Sequence, residues 1–300
     1  MVTKEERNIE FYLSNHILRD TSLSDLAIAT YATLRMIQTK NRKLYYIRGD
    51  AIYYYLSGKV TNDLRDIKKF NKALLELDEK KYIKILQNKK DSSFEVDLTA
   101  LNISKEYYTI VYQDEIRKII NSDEKYRFRL LRYFLCLVST FTRVAEGKNK
   151  ATPSVSYISA SNLRDMCDLK NIKTVYRYND VLQDLCLIYV ERSNDFVKID
   201  NTVKSIPNTY GRYKDKDIVI KTSEGYTNKY GSKRLSAKNA HSTRSASHKY
   251  MWWLKGKEYS YDELKEVYLT LVEFNKKYER IDDSRLKDLT VFSEFDFYVH

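Results

Sequence analysis

The chain is short of residues that interrupt regular structure. Its 300 residues hold 7 glycines and 2 prolines, which excludes long disordered or collagen-like tracts. Cysteine is nearly as scarce: Cys136, Cys167 and Cys186 lie in apolar stretches without C-x-x-C spacing, so neither a disulfide framework nor a zinc ribbon is expected. An odd count of buried thiols suits a reducing compartment. No apolar run approaches the ~18 residues of a membrane span, and the opening MVTKEERNIEFYL is too charged for a secretion signal. These absences predict a cytoplasmic protein with no membrane association.

Motifs for the commonest phosphate and metal chemistry are missing as well. A P-loop needs G-x-x-x-x-G-K-[ST] so that backbone amides can approach phosphates, and no such string occurs. Nicking enzymes need an H-x-H metal pair beside a tyrosine, whereas the histidines here are His16, His241, His248 and His300. The string HSTR, His241 to Arg244, with Tyr250 nearby, has the H-x-x-R spacing of tyrosine recombinases. In those enzymes it opens a buried apolar helix, but here its flanks are Lys, Asn, Ser and Thr. Acidic strings such as DKD, Asp215 to Asp217, lack a placed third ligand or base. The reading is a protein without catalytic residues, metal or cofactor.

What is present is a globular composition, 43% hydrophobic and 31% charged, with 53 Lys+Arg against 41 Asp+Glu. A net charge of +12 favours a polyanionic partner such as nucleic acid. The 27 tyrosines accompany much Lys, Ile and Asn, the usage of an AT-rich genome, and are read as composition and not as chemistry.

The most informative feature is an internal repeat. From Phe11 the chain reads FYLSNHIL, LSDLAIATYATLRMI, LYYI, AIYYYL and NDLRDIKKFNKALLELDEKKYIKIL, then a turn NKKDSS and FEVDL. From Tyr108 it reads YTIVYQDEIRKII, DEKYRFRLLRYFLCLVSTF, VSYI, NLRDMCDL and IKTVYRYNDVLQDLCLIYVER, then a turn SND and FVKI. The order of elements recurs after about a hundred residues. Leu23, Leu26, Ala27, Thr30, Tyr31 and Leu34, and again Leu130, Leu131, Phe134, Leu135 and Val138, have helical spacing. Short strands are expected at Tyr45 to Ile47 and Val155 to Ile158, and second helices at Ala51 to Leu56 and Asn162 to Leu169. Third helices follow, with apolar stripes Leu64, Ile67, Leu74 and Leu77, and Val175, Leu182 and Leu185. Each runs into a hairpin: Tyr82 to Gln87 with Phe94 to Leu98, and Ile188 to Arg192 with Phe196 to Ile199.

Helix, strand, helix, turn, helix, hairpin is the winged helix-turn-helix plan. The expected fold is therefore mainly α with small β-hairpins, an α+β class, built as tandem winged helix-turn-helix domains plus a C-terminal helical extension. Residues 1–100 make the first domain, 101–124 a linking helix with Ile116, Ile119 and Ile120 on one side, and 125–220 the second domain. IPNTYGRYKDKDIVI is read as irregular, with turns at Pro207 and Gly211 and a strand at Ile218 to Ile220. Residues 221–250 are a basic flexible segment. Residues 251–300 form a helical and aromatic extension opened by a capping box at Ser260 to Glu263. Its exposed stripe would serve packing, or a partner or homodimer contact.

In a helix-turn-helix the second helix of the pair enters the major groove, and the wing holds phosphates. The candidate double-stranded DNA contacts of the first copy are Arg65, Lys68, Lys69 and Lys72, with Lys89 and Lys90 at the wing tip. Those of the second are Lys173, Thr174, Tyr176, Arg177 and Gln183, with Arg192 on the wing. Arg177 suits guanine, Gln183 suits adenine if the helix lies deep enough, and Lys173 and Tyr176 suit phosphate. Winged helices also bind proteins, so one copy is open to a partner or dimer role.

Residues 11–200 carry a family resemblance. FYLSNHIL, LSDLAIATYATL and ALLELDEKKYIKI resemble the N-terminal winged-helix region of theta-type replication initiators from plasmids of low-GC Gram-positive bacteria. KTVYRYNDVLQDLCLIYVER is similar to the recognition helix and wing strand of the same broad class, which includes phage replisome organisers. The resemblance implies origin or operator DNA bound by both winged helices, recruitment of host replication proteins, and no catalysis. A transcriptional regulator of the same mobile element is the alternative, and a winged-helix protein-interaction module a second. The first copy departs from the pattern in its turn, GKVTNDLRDI, which reads as longer than LKNIKT in the second.

Overall fold

The structure, a computed structural model, describes residues 9–38, 42–88, 93–98, 107–143, 153–193, 196–199, 202–228 and 234–235. Helices and small antiparallel sheets are mixed, an α+β arrangement, and among the described residues no helix is long and apolar enough to cross a membrane. The first run of elements is β1 (Glu10–Ser14), α1 (Asn15–Leu18), α2 (Asp25–Ile37), β2 (Lys43–Ile47), α3 (Gly49–Ser57), α4 (Leu64–Glu79), β3 (Lys84–Asn88) and β4 (Phe94–Asp97). Its strands form an antiparallel sheet in the order β2-β4-β3. Local chemistry sets the boundaries. Ser24 caps α2 by accepting from the Ala27 amide, and its own amide and hydroxyl donate to Glu76 of α4. Gly58, at φ +73°, ends α3 in the left-handed region. Gly49 admits no side chain: a Cβ there would lie 2.3 Å from the Ile67 carbonyl oxygen of α4.

The second run is β5 (Tyr108–Tyr112), α5 (Gln113–Ile120), α6 (Arg127–Val138), β6 (Thr142–Arg143), β7 (Pro153–Ile158), α7 (Ala160–Met166), α8 (Ile172–Asp184) and β8 (Ile188–Glu191). Then come β9 (Phe196–Ile199), β10 (Thr202–Ser205), β11 (Asn208–Arg212) and, after a 3-10 turn, α9 (Lys216–Asn228), with β12 at Arg234–Leu235. The expected partner of β8 is corrected here. β8 pairs not with Phe196 to Ile199 but with β11, Val190 opposite Tyr210, and the sheet runs β6-β7-β11-β8. Tyr210 is fully buried there, and burial of this strand outweighs the short turn that favoured the nearer pairing. The stretch read as irregular is thus a central strand. Arg212 at its end donates to Glu115 of α5 at 2.7 Å and to the Ile110 carbonyl of β5 at 2.6 Å. The strand expected at Ile218 to Ile220 is helical, as is the start of the segment from Lys221 that was read as flexible.

Both runs share one hydrophobic core, which extends from Phe11 to Tyr210. Among the described residues, those up to Glu191 together with Asn208–Ile220 form one compact unit. The linking segment carries the expected helix as α5, with Ile116, Ile119 and Ile120 fully buried, but a strand precedes it. That strand, β5, pairs antiparallel with β1 in a self-complementary register: Glu10 faces Tyr112, Tyr12 faces Ile110, and Ser14 faces Tyr108. Equivalent strands of the two runs thus meet about a local two-fold at Tyr12 and Ile110. Beside them α2 packs on α6, and Arg132 of α6, 2% exposed, donates to the Leu23 carbonyl at 2.7 Å and the Asp20 carbonyl at 2.8 Å. The Asp25 carboxylate lies 3.3 Å from the same guanidinium and supplies the charge that its burial demands.

A second compact unit includes Arg192–Pro207 and the described residues from Lys221 onward. It contains an antiparallel sheet in the order β10-β9-β12. The capping box at Ser260, the helix after it and the aromatic tail lie outside the described residues. Of the cysteines, Cys136 and Cys167 are buried free thiols as expected, but Cys186 is exposed. It occupies the left-handed position, φ 54°, that ends α8.

Candidate nucleic-acid interface

The helices α4 and α8 end in the same way, and that fixes which residues correspond. In α4 the Tyr82 amide donates to the Leu77 carbonyl and Lys81, at φ 61°, is left-handed. In α8 the Leu187 amide donates to the Leu182 carbonyl and Cys186 is left-handed. Counted back from this shared motif, buried Phe70, Ala73 and Leu77 match buried Val175, Tyr178 and Leu182. The outward positions match too: Lys68 with Lys173, and Lys72 with Arg177. All four are exposed, one helical turn apart on each helix.

The unequal loops resolve differently from the sequence reading. The connections Gly58–Asp63 and Cys167–Asn171 are of similar length, and the extra residues lengthen the helix instead, 16 residues in α4 against 13 in α8. Asp63 caps the longer helix by accepting from the Arg65 amide, and Asn171 caps the shorter by accepting from the Thr174 amide. The added turn projects from the body. Leu64, expected in the buried stripe, is 69% exposed, and Ile67 is half-buried.

The structure groups Arg65, Lys68, Lys69 and Lys72 on the exposed face of α4, and Lys173, Tyr176 and Arg177 on that of α8. Lys69 is paired with Asp66 at 3.1 Å. Lys68, Lys72 and Lys173 form no ion pair among the described residues. Thr174 is half-buried and turns its hydroxyl to the capping Asn171. Arg192 is exposed and belongs to the second unit, and Lys89 and Lys90 lie outside the described residues.

Two positions on α8 behave otherwise than expected. Gln183 does not face outward: its Oε1 accepts from the Val190 amide at 3.1 Å and braces the first residues of β8. Asp78 does the same in the first run, accepting from the Ile85 amide at 2.7 Å. Gln183, placed on the outward face by the sequence reading, is instead half-buried and engaged as a brace. Arg177 is exposed but held, with Nη1 donating to both carboxylate oxygens of Glu124 at 3.3 and 3.1 Å and its guanidinium 4.9 Å above the Tyr178 ring. Burial raises the Tyr178 phenol above its ordinary value, against the lowering effect of Arg177. Sequence reasoning missed both Glu124 and the brace. The only available signal was the pair Asp78/Ile85 and Gln183/Val190 at one spacing.

No family model, curated protein or solved structure matches the chain. The reading of function therefore rests on the geometry.

Proposed function

We propose that the compact unit consists of two winged helix-turn-helix modules that bind double-stranded DNA together, with α4 and α8 as recognition helices. The protein then acts as a replication initiator of a plasmid, phage or conjugative element, recruiting host replication proteins and performing no catalysis itself. The observation that carries this reading is the recurrence of outward cations, Lys68 and Lys72, Lys173 and Arg177, at corresponding positions of two helices with the same C-terminal motif. The self-complementary β1-β5 pair supports it, because it holds the two helices in one body.

The test is competition binding at two salt concentrations with duplex DNA that flanks the gene and with scrambled duplex. Specific recognition requires that the flanking DNA compete better at physiological salt. Lys68→Ala and Lys173→Ala should each weaken binding to all sequences alike and reduce the salt slope by about 1. A minimal plasmid carrying the gene and its flanks separates an initiator from a transcriptional regulator, since only the former sustains replication.

A second role for the first module is favoured by its exposed apolar groups. Tyr45 and Tyr46 on β2, Val60 in the turn and Leu64 on α4 are all more than half exposed. Such groups suit an additional protein contact.

A further inference from the structure

We propose that the two modules divide the DNA contact: Arg177 of the second sets sequence preference, Glu124 positions it, and the first module contributes affinity without preference. The inference rests on the DNA-binding reading above and adds to it which module reads bases and why. The corresponding residues Lys72 and Arg177 are chemically unequal. A lysine ammonium is a rotating point charge suited to phosphate, whereas a guanidinium presents a planar fork of donors that matches guanine O6 and N7.

The surroundings of Arg177 fit such a role. Its Nη1 is engaged by both oxygens of Glu124, and its plane lies over the Tyr178 ring. Glu124 is itself fixed, its side chain only 6% exposed and its Oε1 also accepting from the Tyr126 amide at 3.1 Å. One terminal nitrogen is thus used, while Nε and Nη2, the edge with two parallel N–H bonds, have no partner among the described residues. An arginine pinned in this way loses less rotamer freedom on meeting a base than a free one. Lys72 has no such carboxylate among the described residues.

The full-length chain is assayed by fluorescence anisotropy against its best duplex site, single-base-pair variants of that site, and scrambled duplex. Arg177→Ala and Arg177→Lys are expected to reduce the ratio of specific to non-specific affinity about tenfold, with the loss confined to one G·C pair. Lys72→Ala lowers both affinities and leaves the ratio unchanged. Glu124→Gln keeps the side-chain volume and removes the charge. It is expected to raise affinity for scrambled duplex while lowering the ratio about threefold, two opposite changes that a loss of folding does not produce. In the Arg177→Ala background Glu124→Gln leaves the ratio where it is. The inference is overturned if Glu124→Gln does not change the ratio while Arg177→Ala does, or if Lys72→Ala lowers the ratio as much as Arg177→Ala. If Arg177→Ala and Lys173→Ala change no duplex affinity at all, the DNA-binding reading falls with it.

Discussion

Asp78 and Gln183 occupy corresponding places near the ends of α4 and α8, and each accepts from an amide seven residues later. The acceptor ties the helix end to the strand that follows it, so the helix and sheet of each module keep a fixed angle. Leaving such an amide unpaired costs about 1–3 kcal/mol. Asp78→Leu and Gln183→Leu are therefore expected to lower urea stability by about 1–2 kcal/mol each, with the specificity ratio for DNA unchanged. Asp20 offers a pH readout at the same scale. Burial pushes its carboxyl upward, but hydrogen bonds from the Tyr82 hydroxyl, at 2.7 Å, and from Ser22 outweigh this and hold it below its usual value. A lowered folded-state value contributes stability above the usual carboxylate range, and that contribution is lost as the pH falls through the lowered value. Tyr82→Phe should thus be less stable than the native chain near neutrality, and the two should converge in acid, as measured by thermal melts across pH.

At the scale of elements, the two runs show how one plan tolerates change. An added turn extends α4 at its N-terminus without altering the buried face, because Phe70, Ala73, Leu74 and Leu77 all lie beyond it. In the second run β9 and β10 come between β8 and β11 in sequence, and β8 and β11 pair regardless. Since Glu191 lies opposite Thr209 in that ladder, a two-residue turn can join the strands. Replacing residues 192–208 by Asn-Gly should leave the melting temperature of the compact unit unchanged by calorimetry. A large loss would show that the inserted strands are required for its folding.

For the molecule as a whole, the decisive contacts are those between the runs. The β1-β5 ladder, the α2-α6 packing and buried Arg132 join the two runs into one unit. Modules joined in this way cannot adjust their separation. On the proposed DNA-binding reading the first module then meets phosphates at one fixed distance from the base pair read by Arg177, so trimming the duplex on that side should lower affinity in one step, as measured by anisotropy. Independently tethered modules would lose affinity gradually with each base pair removed, and that gradual loss would refute the rigid arrangement.

Local pattern was enough to place the main helices of both runs, several of the strands and the outward cations, because helical and strand periods and capping residues act over a few neighbouring positions. The buried isoleucines of α5 and the opening helices of both runs were legible in the same way. The roles of Gln183 and Glu124 were not: Gln183 turns to the Val190 amide of the following strand, and Glu124 meets Arg177 across 53 residues of sequence. Nor could short-range turn propensity show that β11 displaces β9 beside β8, a choice made by the burial of Tyr210 and the anchoring of Arg212 on Glu115. The sequence alone determined the repeated elements. The tertiary structure decided that they share a core, because strand pairing, burial and the matching of buried charge are properties of the whole surface that folding removes from water.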